Sequence, residues 1–298
     1  MAKIKFWKFS ALVLLLLPRL ARAEDHFFDS DGVRIHYVVE GKGEPLVLIH
    51  GFAADIKTNW GLPGILSALA KNYQVIALDC RGHGKSDKPH EAKQYGKAMM
   101  EDVVRLLDHL KIKRAHIVGY SMGGGIALEV LMDHPDRVLT ATVGGFGVST
   151  AQDEKAMVND LANSLEKGKG FGPLLIAITP ADQPKPSEEH IKAVDAILLS
   201  FNDPKALAAC MRGFKEETEL SIATVVKKVK KANRPILALV GENDPFKPGV
   251  DELKKQIPET QLTVIKGGDH VSTIMDPEFL KDMQKFLAEH KRKGEEGK

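Results

Sequence analysis

The sequence predicts an α/β fold, with a mostly parallel central sheet, helices on both of its faces and an inserted helical cap. Three observations predict it. Short apolar runs of strand length alternate with segments whose apolar residues recur at helical spacing. That rhythm breaks over 149–233, where helical patterning continues without an intervening strand. Within the first regular stretch, Gly119-Tyr120-Ser121-Met122-Gly123 sets a serine on a hinge between a strand and a helix.

Taken in order, Asp25 to Glu40 predicts an opening hairpin, with Asp31-Gly32 as its turn and Val33 to Val39 as an alternating strand. Buried runs follow at Leu46 to Ile49, Val75 to Leu78, His116 to Val118, Leu139 to Val143, Ile236 to Val240 and Leu262 to Ile265. Such near-continuous apolar runs are what strands covered on both faces require. Helical stripes separate them. From Met100 to Leu110, the residues Val103, Leu106, Leu107 and Leu110 share a face, and a similar stripe runs from Pro277 to Ala288. Over 149–233 the pattern is interrupted at Gly168 to Gly172 and at Pro180 to Pro186. Its apolar patches, Phe171 to Ile176 and Ala196 to Phe201, either pack a cap onto the core or roof a pocket. The expected organisation is a core of 24–148 and 234–298 with a cap of 149–233.

Residues 1–23 stand apart from this fold. Lys3, Lys5 and Lys8 form a basic start, Phe9 to Leu17 an apolar stretch, and Ala21-Arg22-Ala23 an A-x-A cleavage site before Glu24. The apolar stretch is far shorter than the roughly 20 residues of a spanning helix. The expectation is a signal peptide cleaved after Ala23, an exported protein in the periplasm or outside the cell, and no stable membrane span after cleavage; a retained anchor is the alternative. Removing five basic residues and no acidic ones turns the formal charge of +2 into −3. A mildly acidic chain gives no electrostatic case for nucleic acid or an anionic membrane as partner. Cys80 and Cys210 are the two cysteines of the chain, read as free thiols, and no Cys/His pattern suggests a metal site.

Ser121 is the candidate nucleophile. At such a turn its hydroxyl stands clear of the backbone, while the helix N-terminus directs partial positive charge toward an oxyanion. A nucleophilic serine needs a base, an acid to orient that base, and oxyanion donors. His270, in the loop after Leu262 to Ile265, is the candidate base. His50, His83, His116 and His134 have plainer structural positions. Asp244, at the end of the run Pro235 to Val240 and the turn after it, is the candidate acid, ahead of Glu242 and of Asp269, which adjoins His270 too closely to meet its ring. The backbone amides of Phe52, after His50-Gly51, and of Met122 are the candidate oxyanion donors.

With these residues in place, the chain from about Val33 to Leu287 resembles the α/β-hydrolase superfamily, in its serine esterase and lipase-like branch. The resemblance also rests on Asp79-Cys80-Arg81-Gly82-His83-Gly84-Lys85-Ser86-Asp87, similar to the D-x-R-G-x-G-x-S turn of many members, where Arg81 ties the loop and no chemistry is assigned. Ser121 stands where dehalogenases and epoxide hydrolases place an aspartate, and the H-G-G-x-G of proline iminopeptidases and carbon–carbon bond hydrolases is absent. The resemblance implies a cofactor-free serine hydrolase cleaving a carboxylic ester, a small-molecule acyl substrate, through an acyl-enzyme. A cofactor-free haloperoxidase or perhydrolase and a carbon–carbon bond hydrolase on the same residues are alternatives; a non-catalytic binding protein is the alternative of another class.

Overall fold

The structure is a computed structural model that describes residues 24–148, 152–217 and 221–292. The leader of 1–23 therefore lies outside the described residues. Chain entry into the sheet is the hairpin of β1 (Asp25–Ser30) and β2 (Val33–Glu40). Asp31 and Gly32 take φ of 58° and 79°, the paired positive values that a two-residue hairpin turn demands. Then come β3 (Glu44–Ile49), α1 (Ile65–Leu69), β4 (Tyr73–Leu78), α2 (Lys97–His109), β5 (Ala115–Tyr120), α3 (Met122–Asp133) and β6 (Val138–Gly144). Four helices come next: α4 (Gln152–Glu166), α5 (Gly172–Ala177), α6 (Glu188–Leu198) and α7 (Pro204–Glu217). The chain closes with α8 (Ile222–Ala232), β7 (Ile236–Gly241), α9 (Lys247–Gln256), β8 (Gln261–Ile265) and α10 (Pro277–Glu289).

These strands form one eight-stranded sheet in the order β1-β2-β4-β3-β5-β6-β7-β8. The β1–β2 and β2–β4 pairs are antiparallel, and all later pairs are parallel. Successive side chains leave a strand on opposite faces, and the core obeys that period of two. Val47, Ile49, Ile76 and Leu78 enter one apolar cluster with α2, α3 and α8, while Leu46, Leu48, Val75 and Ala77 enter another with α1 and α10. Phe279, Met283, Phe286 and Leu287 make the buried stripe of α10, whose Asp276 side chain caps the helix by accepting from the Glu278 amide at 2.8 Å. Parallel register aligns the strand ends where the site is built: Ile49 lies beside Gly119, Gly144 beside Leu239 and Gly241 beside Ile265.

The segment read from sequence as one cap divides in its packing. Leu161, Ala162 and Leu165 of α4, Phe171 before α5, and Leu207, Ala208 and Met211 of α7 share a cluster with Ala53 of the loop after β3. By contrast, α8 lies along α3, and its Val225 and Val229 belong to the main core. Of the two apolar patches, Phe171 is fully buried, but Ile176, Ile197, Leu199 and Phe201 are exposed, so the second patch does not pack as a whole, although its Leu198 lies against the α4 and α7 cluster. No residue of α6 is buried.

Candidate active site

The loop after β5 brings the chain sharply into α3, and the turn holds Ser121 at φ 54°, ψ −119°. A residue with a Cβ pays for a positive φ, so the surroundings must impose it. They do so through contact and hydrogen bonding. A Cβ on Gly119 would lie 1.8 Å from the Gly123 carbonyl oxygen, and one on Gly123 would lie 2.1 Å from that of Ile49. Only glycines permit α3 to start this close to β3 and β5. The Ser121 amide donates to the Gly144 carbonyl at 2.7 Å, and the Ser121 carbonyl accepts from the Gly124 amide at 2.8 Å. Its side chain makes no cap hydrogen bond to the helix.

The structure brings together the three side chains that the sequence singles out. Ser121 Oγ stands 3.0 Å from His270 Nε2, and His270 Nδ1 stands 3.0 Å from Asp244 Oδ2. With Nδ1–H donating to the carboxylate, Nε2 is left to accept the serine proton. Asp244 is wholly shielded, and its second oxygen accepts from the Phe246 amide at 2.9 Å, so both oxygens are engaged. The Phe246 ring meets the His270 ring edge-on at 4.9 Å, and Tyr120 Oη donates to the His270 carbonyl at 2.7 Å. Neither contact is marked in the sequence: Tyr120 fills one of the variable positions beside Ser121, and Phe246 lies in no motif. The rival carboxylates are committed elsewhere: Glu242 accepts from the Gly267 amide, and Asp269 caps its own turn by accepting from the Val271 and Ser272 amides.

Facing Ser121 is the turn after β3. A Cβ on Gly51 would come within 3.3 Å of the Ser121 Cβ, which measures how closely this backbone passes the serine. The Gly51 amide donates to Asn59 Oδ1 at 2.8 Å, from a π-helical turn over Lys57–Gly61 that buries Asn59 and Trp60 together. The Met122 amide opens α3, where it has no carbonyl one turn back to bond. Among the described residues, neither it nor the Phe52 amide donates to another backbone carbonyl.

His50 is structural. Its Nε2 accepts from the Cys80 amide at 2.9 Å, so Nδ1 carries the proton and donates to the Gly51 carbonyl at 2.7 Å. Burial holds its pKa below the ordinary histidine value, and burial reinforced by His50 pushes His83 down to about 3. His83 is thus neutral in the fold, whereas an unfolded chain protonates it near 6.5. The unfolded state binds the extra proton as pH falls from about 6.5 toward 3, so stability is lost across that window. Thermal melts at pH 7 and pH 5 check this: His83→Asn, which cannot ionise, should show a smaller drop in Tm between them than the unaltered protein, and parallel curves would refute it.

Arg81 ties the neighbouring turn, as its sequence suggests. Its Nε and Nη2 donate to both oxygens of Asp102 in α2 at 2.7 and 2.6 Å, and Nη1 donates to the Gln94 carbonyl at 2.7 Å. Cys80 and Cys210 are buried free thiols. Among the described residues, no cluster of three or more His, Cys, Asp or Glu side chains is placed to hold a metal ion, and no helix is long and apolar enough to cross a membrane.

Comparison with known proteins agrees with this architecture. The chain is 26% identical over 273 residues to a putative 2-succinyl-6-hydroxy-2,4-cyclohexadiene-1-carboxylate synthase of Bacillus subtilis, covering 87% of this chain and 96% of that protein. It is 42% identical over 131 residues to the dihydrolipoyllysine-residue acetyltransferase component of an acetoin cleaving system of Cupriavidus necator, a match to 43% of this chain that spans only 34% of that relative's length. The solved structure of Est816, described as an N-acyl homoserine lactone degrading enzyme, is 29% identical with a TM-score of 0.68, over 88% of this chain and all of that one. The alpha/beta hydrolase fold family matches residues 44–277. With the sheet order, the serine hinge and this match over most of its length, the chain belongs to the α/β hydrolase fold family.

Proposed function

We propose that the protein is a serine hydrolase that cleaves a carboxylic ester through an acyl-enzyme. The observation that carries the reading is the continuous chain of contacts Ser121–His270–Asp244, each link 3.0 Å. Ser121 Oγ attacks the carbonyl carbon as His270 Nε2 takes its proton, and Asp244 stabilises the resulting imidazolium. The tetrahedral oxyanion lies between the Phe52 and Met122 amides. It collapses with His270 returning the proton to the departing alcohol; water then enters by the same route and releases the acid.

The family alone does not choose the bond. The relative aligned over nearly its full length bears the name of a synthase, and the 29% identical Est816 is described as acting on a lactone, a cyclic ester. The ester reading rests on the serine at the hinge, which forms an ester intermediate of its own. In this reading α4, α5 and α7 cover the acyl side, since their apolar cluster reaches Ala53 and Phe52 beside the oxyanion donors. The protein acts after export, with 1–23 removed, and the intact mass of protein recovered from outside the cytoplasm tests that step.

The test of function is a series of p-nitrophenyl acyl esters of graded length, with hydrogen peroxide offered against water as acceptor. Turnover of at least one ester with water as acceptor is the expected result. Absence of turnover across the series contradicts the reading, and a preference for peroxide redirects it to perhydrolysis.

A further inference from the structure

We infer that Asn202, in the link between α6 and α7, is a positioning residue for the oxyanion-binding turn. The inference rests on the acyl-transfer reading above and adds to it a residue that no local motif marks. The turn from Gly51 to Ala54 is held at two of its carbonyls, those of Gly51 and Ala53. The Gly51 carbonyl accepts from His50 Nδ1 at 2.7 Å and from the Ala54 amide at 3.3 Å. Across a trans peptide the next N–H points opposite to that carbonyl, so these bonds set the direction of the Phe52 amide.

Ala53 then turns the chain with φ 56°, a left-handed conformation that an alanine does not favour by itself. What holds it comes from the inserted helices. Asn202 Nδ2 donates to the Ala53 carbonyl at 3.0 Å and to the Leu198 carbonyl at 3.1 Å, bridging the end of α6 to the turn. Asn202 is 8% exposed, and Ala53, 4% exposed, sits against the α4 and α7 cluster. The Gly51–Phe52 peptide is thus fixed directly by His50 of the core, and the Ala53–Ala54 peptide, at the far end of the same turn, by Asn202 of the insertion. The inserted helices complete the oxyanion turn as well as covering it.

The test replaces the donor while keeping the shape. Asn202→Asp, with Asn202→Ala beside it, should lower kcat on a p-nitrophenyl ester by about 10- to 100-fold with KM within about threefold, as a displaced oxyanion donor does. Affinity for a trifluoromethyl ketone, whose adduct with Ser121 carries an oxyanion, should fall by the same factor as kcat/KM. Phe201→Ser, an exposed neighbour on the same link, should leave both unchanged. An unchanged kcat in Asn202→Asp, or a loss of kcat without the parallel loss of ketone affinity, overturns the inference. If the unaltered protein turns over no ester, the acyl-transfer reading itself fails, and this inference with it; if that protein is active and Asn202→Asp equals it, only the role of Asn202 falls.

Discussion

Ser121→Ala is expected to cut ester turnover by roughly 10⁴-fold or more, the loss seen when a nucleophile is removed from a unit of serine, histidine and carboxylate. The same substitution should leave the melting temperature nearly unchanged. Alanine keeps the Cβ that already bears the cost of φ 54°, and the Ser121 side chain makes no bond to the helix it precedes. Among the described residues, its Oγ has a single side-chain partner, His270 Nε2. Steady-state rates paired with thermal melts separate the two effects. Retention of more than a few per cent of turnover by a pure preparation would remove Ser121 from the role.

The largest effect on stability is expected at Asp102. Arg81 and Asp102 are 3% and 1% exposed, and the guanidinium forms a two-pronged bond with the carboxylate. Ser30 Oγ also donates to Asp102 at 2.5 Å, so the carboxylate joins β1, α2 and the turn after β4. Asp102→Ala strands a buried cation and should cost about 3–5 kcal/mol, a fall in Tm on the order of 10 °C for a domain of this size. The paired change Arg81→Met with Asp102→Leu removes both charges and should recover most of that loss, because well-packed apolar groups replace a buried ion pair at little cost. Denaturant melts of the single and paired variants decide it. A single-variant loss below about 1 kcal/mol, or a paired variant no better than Asp102→Ala, contradicts the account.

Much of the fold is legible locally because strands covered on both faces and helices with one apolar stripe leave their period in the chain. Asp31-Gly32 announces the hairpin, and Val103, Leu106 and Leu107 are buried in α2 as their spacing requires. Ser121, His270 and Asp244 are legible for a related reason: each sits in a loop after a recognisable strand, and the carboxyl ends of parallel strands share one rim. What escapes is long-range. Nothing in the sequence joins Tyr120 to the carbonyl of His270, Arg81 to Asp102, or Asn202 to Ala53. The patch Ala196 to Phe201 misleads because it spans two environments: Ile191, Val194 and Leu198 of α6 are half-buried, while Ile197 of the helix and Leu199 and Phe201 of the link after it are exposed. Spacing identifies a stripe but not the neighbour that covers it. The same limit hides the place of α8, whose apolar residues read like those of the preceding helices yet pack on α3.

The central claim is that the Ser121 hydroxyl carries the acyl group between the two halves of the reaction. Rapid acid quench during turnover of a p-nitrophenyl ester, followed by peptide mass mapping, tests it most directly. The account predicts an acyl mass increment on the peptide containing Ser121, absent when Ser121 is alanine. Turnover by the pure protein with that peptide unmodified, or with the acyl group on another residue, would contradict it.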